Sequence, residues 1–433
     1  MTRPLTIAIL LCLGCSSLVS AQQRVVTLVE ALRLSERVQP DVVRAAAGLK
    51  TAGAQRRNAW GAFLPSLSAT SSANEFFTEG APRIDPVTGQ LTGGNTSNRS
   101  VSTGISASVD LFTGFRRRAE LRAARAGETA AEASFTDTRF QQALTTTNQF
   151  LDALAAAQLL RVRETSVRRA EEQLKVSIAK LRIGSATRSD SLRSLVTLGS
   201  ARLDRLTTQT DLAAAEANLA RLIGLTGRAQ AADDSAFYAV VPALDTQALR
   251  IELESKSPRV QSAEADAAAA RATVSASRSA YWPTLALSGN TNWSGSESND
   301  YHLLNQSQLS LSLRWNLFDR FDRELSIAQR EADEDIAEAT AADTRRGVAA
   351  DFELRLAELE AAQARIEITR TSVVAATEDL RVQQERYKLG ASTIVDVLTS
   401  QEALNQAEVD VVNARFDYLR AKAELEALIG RNL

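Results

Sequence analysis

Hydrophobic and polar residues alternate with a period of two in four short segments of this chain. Such alternation is typical of β-strands that have one apolar and one polar face. The pattern predicts two β-hairpins, at about residues 66–112 and 284–318, and each strand is near the roughly ten residues that cross a bilayer when tilted. The alternating segments are residues 67–73, 101–111, 285–289 and 309–315.

Most of the remaining chain has the periodicity of amphipathic helices. In each half, a helical segment of about 30 residues precedes the strands, near 28–58 and 248–279. A longer, proline-free segment follows them, at about 114–182 and 320–388, and roughly 70 helical residues extend about 100 Å. A helix of about 40 residues then returns in each half. The two short helices together match the long one in length, which favours a barrel of helices.

The two halves of the chain are copies of one another. Pro40 and Pro258 occupy equivalent positions, as do Phe112 and Phe318. The spacing between equivalent residues falls from 218 to 206 within the Gly-, Asn- and Pro-rich stretch 76–100, and such sequences form loops that tolerate insertions. We therefore predict a tandem duplication with one longer loop. The predicted parts are a first repeat at 22–224, a connector at 225–247 and a second repeat at 248–433.

The same turn follows the long helix of both copies. Gly184 and Gly390 stand just past its end, where glycine stops helices because it readily takes a left-handed conformation. A T-x-x-D motif comes next, and it predicts a capping box that starts the returning helix. The two boxes pair Thr187 with Asp190 and Thr393 with Asp396.

The last helix carries a heptad seam, which indicates packing against a neighbouring helix. Any antiparallel coiled coil would fit this spacing as well as a barrel of helices. The seam consists of Val397, Leu404, Val411, Tyr418 and Leu425, with Ser400, Ala407, Ala414, Ala421 and Leu428 three positions later.

Composition and the N-terminus change this picture in two ways. A net charge of −2 gives no basic field for nucleic acid.

Residues 1–21 combine a basic start, an apolar core and a small-residue cleavage pattern, which predicts a signal peptide. Both cysteines, Cys12 and Cys15, lie in this leader, and lipidation of Cys15 is an open alternative. Beyond the leader, no apolar run is long enough for a transmembrane helix, so strands are the means by which this chain would enter a membrane.

Aromatic residues gather within or beside the predicted strands. This placement favours an interfacial aromatic girdle, although ordinary hairpin packing is the alternative. A four-stranded sheet in lipid leaves two unpaired edges and must close with copies of itself. Two chains would give eight strands and three would give twelve. The predicted girdle consists of Trp60, Phe63, Phe112, Tyr281, Trp282, Trp315 and Phe318.

Catalytic motifs are missing from the sequence. The only histidine is His302, no glycine-rich phosphate loop follows a strand, and no nucleophile and base pair stands out. We therefore expect a protein that is not an enzyme and that has no cofactor and no metal site.

The chain resembles the TolC-like outer membrane efflux family in the order of its elements, which occurs twice. That order is a helix, LPS or WPT, a hairpin, LF, a long helix, a G-x-x-T-x-x-D turn and a returning helix that ends in LIG. The closest part is YKLGASTIVDVL. The resemblance implies a mainly α fold with a β-barrel part. It also implies that three protomers share a 12-stranded outer membrane barrel and a periplasmic α-helical barrel, with residues 225–247 in an equatorial belt.

The resemblance also implies a function and partners. The chain is expected to be the outer membrane exit duct of a tripartite efflux or type I secretion system in a Gram-negative cell. Its expected partners are outer membrane lipid, a periplasmic adaptor and an inner membrane transporter of RND, ABC or MFS type. A periplasmic coiled-coil scaffold or adaptor without a pore is the alternative, and drugs, metal ions and proteins all remain possible cargo.

The family likeness further implies a gate at the duplicated turns. Asp396 matches an acidic ring at the closed entrance, and Asp190 with Tyr387 matches a latch between neighbouring coils. This sequence departs from the pattern at Ser392, where some relatives have a latch arginine, and at Thr399, where some have a second ring acid. A weaker latch and a single ring are therefore expected.

Overall fold

The structure is a computed structural model in which two compact units are formed from interleaved parts of the chain. The predicted signal peptide, with Cys15, lies outside the described residues, as does the middle of the predicted connector. The structure describes residues 24–81, 83–84, 86–92, 96–234, 245–297 and 300–431.

The order of elements repeats along the chain. The first copy contains β1 (Arg24–Val26), α1 (Leu28–Val38), α2 (Pro40–Gly61), β2 (Ser66–Thr78), β3 (Arg83–Ile84), β4 (Leu91–Thr92), β5 (Thr96–Thr113), α3 (Arg116–Arg182) and α4 (Arg188–Leu222). After β6 (Ala229–Ala231), the second copy contains α5 (Thr246–Lys256), α6 (Pro258–Ser277), β7 (Thr284–Ser296), β8 (Leu304–Arg314), α7 (Asp322–Lys388) and α8 (Ile394–Ile429).

Proline splits the helix that precedes the strands in each copy, where the sequence analysis expected one continuous segment. Gln39 and Ser257, each directly before a proline, are not helical, with ψ of 127° and 123°. The proline ring disfavours helical backbone at the preceding residue, so the helix ends there and restarts at the proline. The Gln39 side chain donates a hydrogen bond to the carbonyl oxygen of Leu222 at the end of α4.

The long helices α3 and α7 each contain 67 residues and agree closely with the predicted segments. Each begins two residues later than predicted, because a pair of residues with positive φ turns the chain from strand to helix. The pairs are Gly114 with Phe115, and Arg320 with Phe321. Among the described residues, no helix has an apolar stretch long enough to cross a membrane.

One unit comprises Arg44–Asp137 and Arg250–Ala350 and contains an antiparallel sheet in the order β2-β5-β7-β8. The register pairs Ile105 with Ala69 and Thr291, and Ser106 with Ser68 and Asn290. Because side chains alternate between faces, one face carries most of the Leu, Ile, Val and Ala residues and the other carries most of the Ser, Asn and Gln residues. The four predicted strands are therefore present with their predicted alternation.

The other unit comprises the N-terminal residues to Val43 together with Thr138–Leu249 and Asp351–Leu433. Its largest core cluster gathers Phe150, Leu154, Leu219 and Phe416, all at most 2% exposed. The parallel pair of β1 and β6 packs into this core through Val26 and other residues. The sequence analysis missed this pair, because strands of three residues have no measurable periodicity.

The predicted heptad seam of α8 is buried over most of its length. The buried members are Val397, Ser400, Leu404, Ala407, Ala414, Tyr418, Ala421 and Leu425. The small residues among them leave room for a close neighbour, as the pattern predicted.

Candidate functional site

Both duplicated turns end a long helix in the same way. Gly184 and Gly390 have φ of 75° and 78°, and a Cβ added at either would meet no atom within 4 Å. In the first turn, Ser185 N donates to Lys180 O at 2.9 Å and Gly184 N donates to Leu181 O at 3.1 Å. This is a Schellman motif, and it satisfies carbonyl groups that a helix end leaves free. The second turn repeats the motif through Ala391 and Gly390.

The capping box is present in both turns. Thr393 N donates to Asp396 Oδ2 at 2.9 Å, and Asp396 N donates to Thr393 Oγ1 at 3.3 Å. The Asp396 Oδ2 atom also accepts hydrogen bonds from the hydroxyls of Thr393, at 2.8 Å, and Ser392, at 3.1 Å. These bonds, led by the one from the Thr393 backbone, hold the pKa of Asp396 below its usual value. Asp396 is solvent-exposed and remains ionised at neutral pH.

Asp190 has a smaller set of hydrogen bonds. Its Oδ2 atom accepts from Thr187 N at 2.9 Å, and its backbone N–H donates to Thr187 Oγ1 at 3.3 Å. Asp190 is half-buried, in contrast to Asp396. The two aspartates are therefore equivalent as helix caps but differ in exposure.

Tyr387 lies in the last turn of α7 and is 6% exposed. Burial raises its pKa, the nearby Ser177 hydroxyl lowers it, and the charge of Asp190 raises it. Ser177 Oγ lies 2.9 Å from Ser194 Oγ. The Tyr387 hydroxyl forms no hydrogen bond with any atom of the described residues. Asp190 and Tyr387 are thus close within one protomer but do not share a hydrogen bond.

Lys180, which the sequence analysis did not single out, makes the direct contact with Tyr387. Its Nζ atom donates to the Tyr387 carbonyl oxygen and lies 4.3 Å from the centroid of the Tyr387 ring. The two residues belong to different helical hairpins and are 207 positions apart. Local sequence carries no signal for such a pair.

The seven predicted girdle residues all lie at one end of the sheet. They flank the start of β2 and β7 and the end of β5 and β8, which antiparallel pairing brings to the same end. Six are at least 37% exposed, led by Phe318 at 71%, and Phe112 is half-buried.

A second aromatic group lies at the opposite end of the sheet, and the sequence analysis missed it. Phe76 and Phe77, near the end of β2, are 62% and 77% exposed, and Tyr301, just before β8, is 43% exposed. The two adjacent phenylalanines in ANEFFTEG were the sequence signal that could have predicted this second group.

An arginine in each copy holds the turn between sheet and long helix. Arg117 donates to the carbonyl oxygens of Ala62 and Leu111, and its guanidinium lies 5.0 Å from the Phe63 ring centroid. Arg323 donates to two carbonyl oxygens of its own copy and lies 4.7 Å from the Tyr281 ring centroid. The motif L-F-x-x-F-x-R, present at 111–117 and 317–323, was the sequence signal for these arginines.

The described part of the chain contains no candidate metal site. No group of three or more His, Cys, Asp or Glu side chains is placed to hold an ion there.

Comparison with known proteins identifies the family of this chain. The sequence matches the family described as "Outer membrane efflux protein" over residues 32–225 and 249–431. Because the match covers most of the chain, the chain belongs to this family.

Two relatives illustrate the similarity in sequence. The chain is 26% identical over 398 residues to the pyoverdine export outer membrane protein OpmQ of Pseudomonas aeruginosa, covering 90% of this chain and 82% of that protein. It is 25% identical over 402 residues to the probable efflux pump outer membrane protein TtgC of Pseudomonas putida, covering 90% and 80%.

Solved structures show the same fold. The CusC channel superposes with a TM-score of 0.79 at 18% identity, covering 94% of this chain and 92% of that one. The outer membrane protein VceC of Vibrio cholerae gives a TM-score of 0.77 at 19% identity, covering 94% and 96%. The mainly α fold with a β-barrel part is therefore confirmed.

Family membership establishes the general role. The protein is an outer membrane exit duct that takes part in an efflux system with other components, and it is not an enzyme. The periplasmic scaffold without a pore, which the sequence analysis kept as an alternative, is not supported.

Proposed function

We propose that three copies of this chain close one 12-stranded β-barrel in the outer membrane. The observation that carries this proposal is the four-stranded sheet, whose edge strands are β2 and β8. In lipid, each unpaired backbone group on those edges costs several kcal/mol, so the edges must pair with other copies. The family likeness favours three copies over two.

The dimensions of the sheet agree with this placement. The 13 residues of β2 extend about 44 Å, which at a tilt of about 45° covers about 31 Å of bilayer. That distance matches the hydrocarbon thickness of about 30 Å. The apolar face would meet lipid, the Ser-, Asn- and Gln-rich face would line the passage, and aromatic groups at both ends would lie at the two interfaces.

The proposed partners are a periplasmic adaptor and an inner membrane transporter of RND, ABC or MFS type. The helical hairpins would extend into the periplasm to meet them. Conduction through the duct would be passive, with energy supplied by the transporter. Because the names of OpmQ and TtgC describe pyoverdine export and an efflux pump, we propose small organic molecules as the cargo.

The proposed gate lies at the duplicated turns. Asp396 would form a ring of three carboxylates at the periplasmic entrance, and Asp190 and Tyr387 would belong to the contacts that keep the hairpins together. The exposure and ionised state of Asp396 support the ring. Gly184, Gly390, Thr187 and Thr393 would shape the turns that present these residues.

Assembly and conduction test the proposal together. The detergent-solubilised protein should be a homotrimer, near three times the mature mass by light scattering, and should form ion-conducting channels in planar bilayers. A protease applied to intact cells should cut within 76–100, the proposed extracellular loop, and spare the helices. A soluble periplasmic species, or a stable bilayer-inserted monomer, would overturn the shared barrel.

A further inference from the structure

Lys180 and Tyr387 connect the first helical hairpin, α3 with α4, to the second, α7 with α8. The Lys180 ammonium group donates to the Tyr387 carbonyl oxygen and lies 4.3 Å from the centroid of the Tyr387 ring. The ring packs in a buried cluster with Ile394 and Val397 of α8 and with Val176 of α3. The aromatic ring is therefore fixed by apolar packing, and the lysine adds a polar contact over its face.

The Tyr387 carbonyl is well suited to accept a second hydrogen bond. It already accepts from Gly390 N at 3.2 Å within its own turn, and a carbonyl oxygen has two lone pairs. It also stands at the C-terminal end of a 67-residue helix, where the helix dipole favours a positive charge. A half-buried ammonium group over an aromatic face gains from the ring quadrupole as well.

Comparison of the two copies shows that this contact is made only once in the described part of the chain. The residues equivalent to Lys180 and Tyr387 are Arg386 and Leu181, respectively. Arg386 donates to Ala391 O at 3.2 Å in its own turn, and Leu181 offers no aromatic ring. Both copies thus carry a cation at this position, but only the second supplies an aromatic ring, and only the cation of the first copy reaches across to the other hairpin.

Ser392 does not supply a connection of this kind. Its hydroxyl lies 3.1 Å from both Gln383 Oε1 and Asp396 Oδ2 and can donate to either oxygen, and both residues belong to the second hairpin. The polar contact between the hairpins at this turn is therefore the one that Lys180 makes.

We propose that Lys180 is the cation that holds the two hairpins of each protomer together at the duplicated turns of the closed duct. The proposal rests on the proposed function, since it assumes that the duplicated turns form the entrance. Opening then requires the ammonium group to leave both the carbonyl oxygen and the ring of Tyr387.

Planar bilayer recordings of purified trimers test this role. Lys180→Met keeps the apolar stem and removes the charge. It should raise the open fraction roughly threefold to thirtyfold, a range that runs from the loss of an exposed cation–π contact to the loss of a desolvated one. Lys180→Arg should behave nearly as the wild type. Lys175→Met, one turn away at a lysine that pairs with Glu172 on the surface, should leave the open fraction unchanged. If Lys180→Met fails to assemble, Lys180→Gln removes the same charge and should also open the channel.

Tyr387→Leu distinguishes the role of Lys180 from the location of the entrance. It replaces the aromatic ring with the residue found at the equivalent position of the other copy. If Tyr387→Leu opens the channel while Lys180→Met and Lys180→Gln match the wild type, the role of Lys180 is overturned and the gate stands. If Tyr387→Leu, Lys180→Met and Lys180→Gln all match the wild type in assembled trimers, the proposed location of the entrance is overturned.

Discussion

Arg169 and Glu408 form a bidentate ion pair that joins α3 to α8 across 239 positions of sequence. The Nη1–Oε1 distance is 2.7 Å and the Nη2–Oε2 distance is 2.5 Å, and Nη2 also donates to Asn405 Oδ1 at 2.7 Å. The side chains are only 19% and 22% exposed. Planar pairing of this kind is the geometry in which an arginine and a carboxylate interact most strongly.

Breaking this pair from one side should destabilise the helical hairpins. Arg169→Met leaves a partly buried carboxylate without its partner, and we expect a loss of about 1–3 kcal/mol. Replacing both residues, as in Arg169→Met with Glu408→Leu, should recover most of that loss because no unpaired charge is left. The measurement is the thermal midpoint of the helical circular dichroism signal.

The exposed pair of Lys175 and Glu172, with both side chains 70% exposed, provides the control. Lys175→Met should not shift the midpoint. Additive losses in the Arg169 and Glu408 variants would contradict the coupling, because independent sites add.

In the turn from sheet to long helix, substitutions at two equivalent positions should have opposite effects on stability. Gly114 and Arg320 both have left-handed backbone, with φ of 61° and 60°. A Cβ at Gly114 would lie 2.6 Å from Ser279 O and 2.8 Å from Trp282 Cβ. Arg320 shows that the backbone conformation alone accepts a side chain, so close approach is what requires glycine in the first copy.

Gly114→Ala should therefore destabilise the protein by about 2–4 kcal/mol, through overpacking and left-handed strain. Arg320→Gly should stabilise it by up to about 1 kcal/mol, because glycine adopts this conformation without strain. Thermal unfolding of the two variants measures both effects. Equal, small changes at the two positions would show that the close approach at Gly114 relaxes easily.

The two faces of β5 can be distinguished with neighbouring substitutions. Ile105 lies near the middle of the strand on the apolar face, and Ser106 lies on the polar face, 2.7 Å from the Ser68 hydroxyl. An arginine near the bilayer midplane costs about 2–4 kcal/mol per chain on the lipid face. Ile105→Arg should therefore reduce the yield of outer membrane trimers, and Ser106→Arg should assemble normally and shift conduction towards anions. The reverse result would exchange the lipid and passage faces.

Features set by local chemistry could be predicted from the sequence. The long helices, the strands and both capping boxes depend on nearby residues or on periodicity, and they lie close to where the sequence placed them. The helix break before Pro40 could also have been predicted, because proline disfavours helical backbone at the residue before it. The pairs Lys180–Tyr387 and Arg169–Glu408 depend on how two hairpins pack, which no local pattern encodes.

Neutralising Asp396 should change conduction more than folding. All three side-chain hydrogen bonds that this residue accepts use Oδ2, and the amide oxygen of asparagine can accept the same bonds. In planar bilayers, the wild type should prefer cations and be blocked by multivalent cations from the periplasmic side. Asp396→Asn should lose much of both effects while still forming trimers. Unchanged selectivity in assembled trimers would leave Asp396 as a helix cap alone.

The cation preference should also persist in mild acid. Hydrogen bonds from Thr393 and Ser392 lower the pKa of Asp396 below its ordinary value of 3.8. A lowered carboxyl pKa keeps the group ionised, and its contribution to stability is lost only as the pH falls through that lowered pKa. Reversal potentials should therefore be similar at about pH 7 and about pH 4.5, with Asp396→Asn as the reference for a neutral ring. Loss of selectivity centred near pH 6 would contradict this, and would mean that three crowded carboxylates raise one another's pKa by more than the cap lowers it.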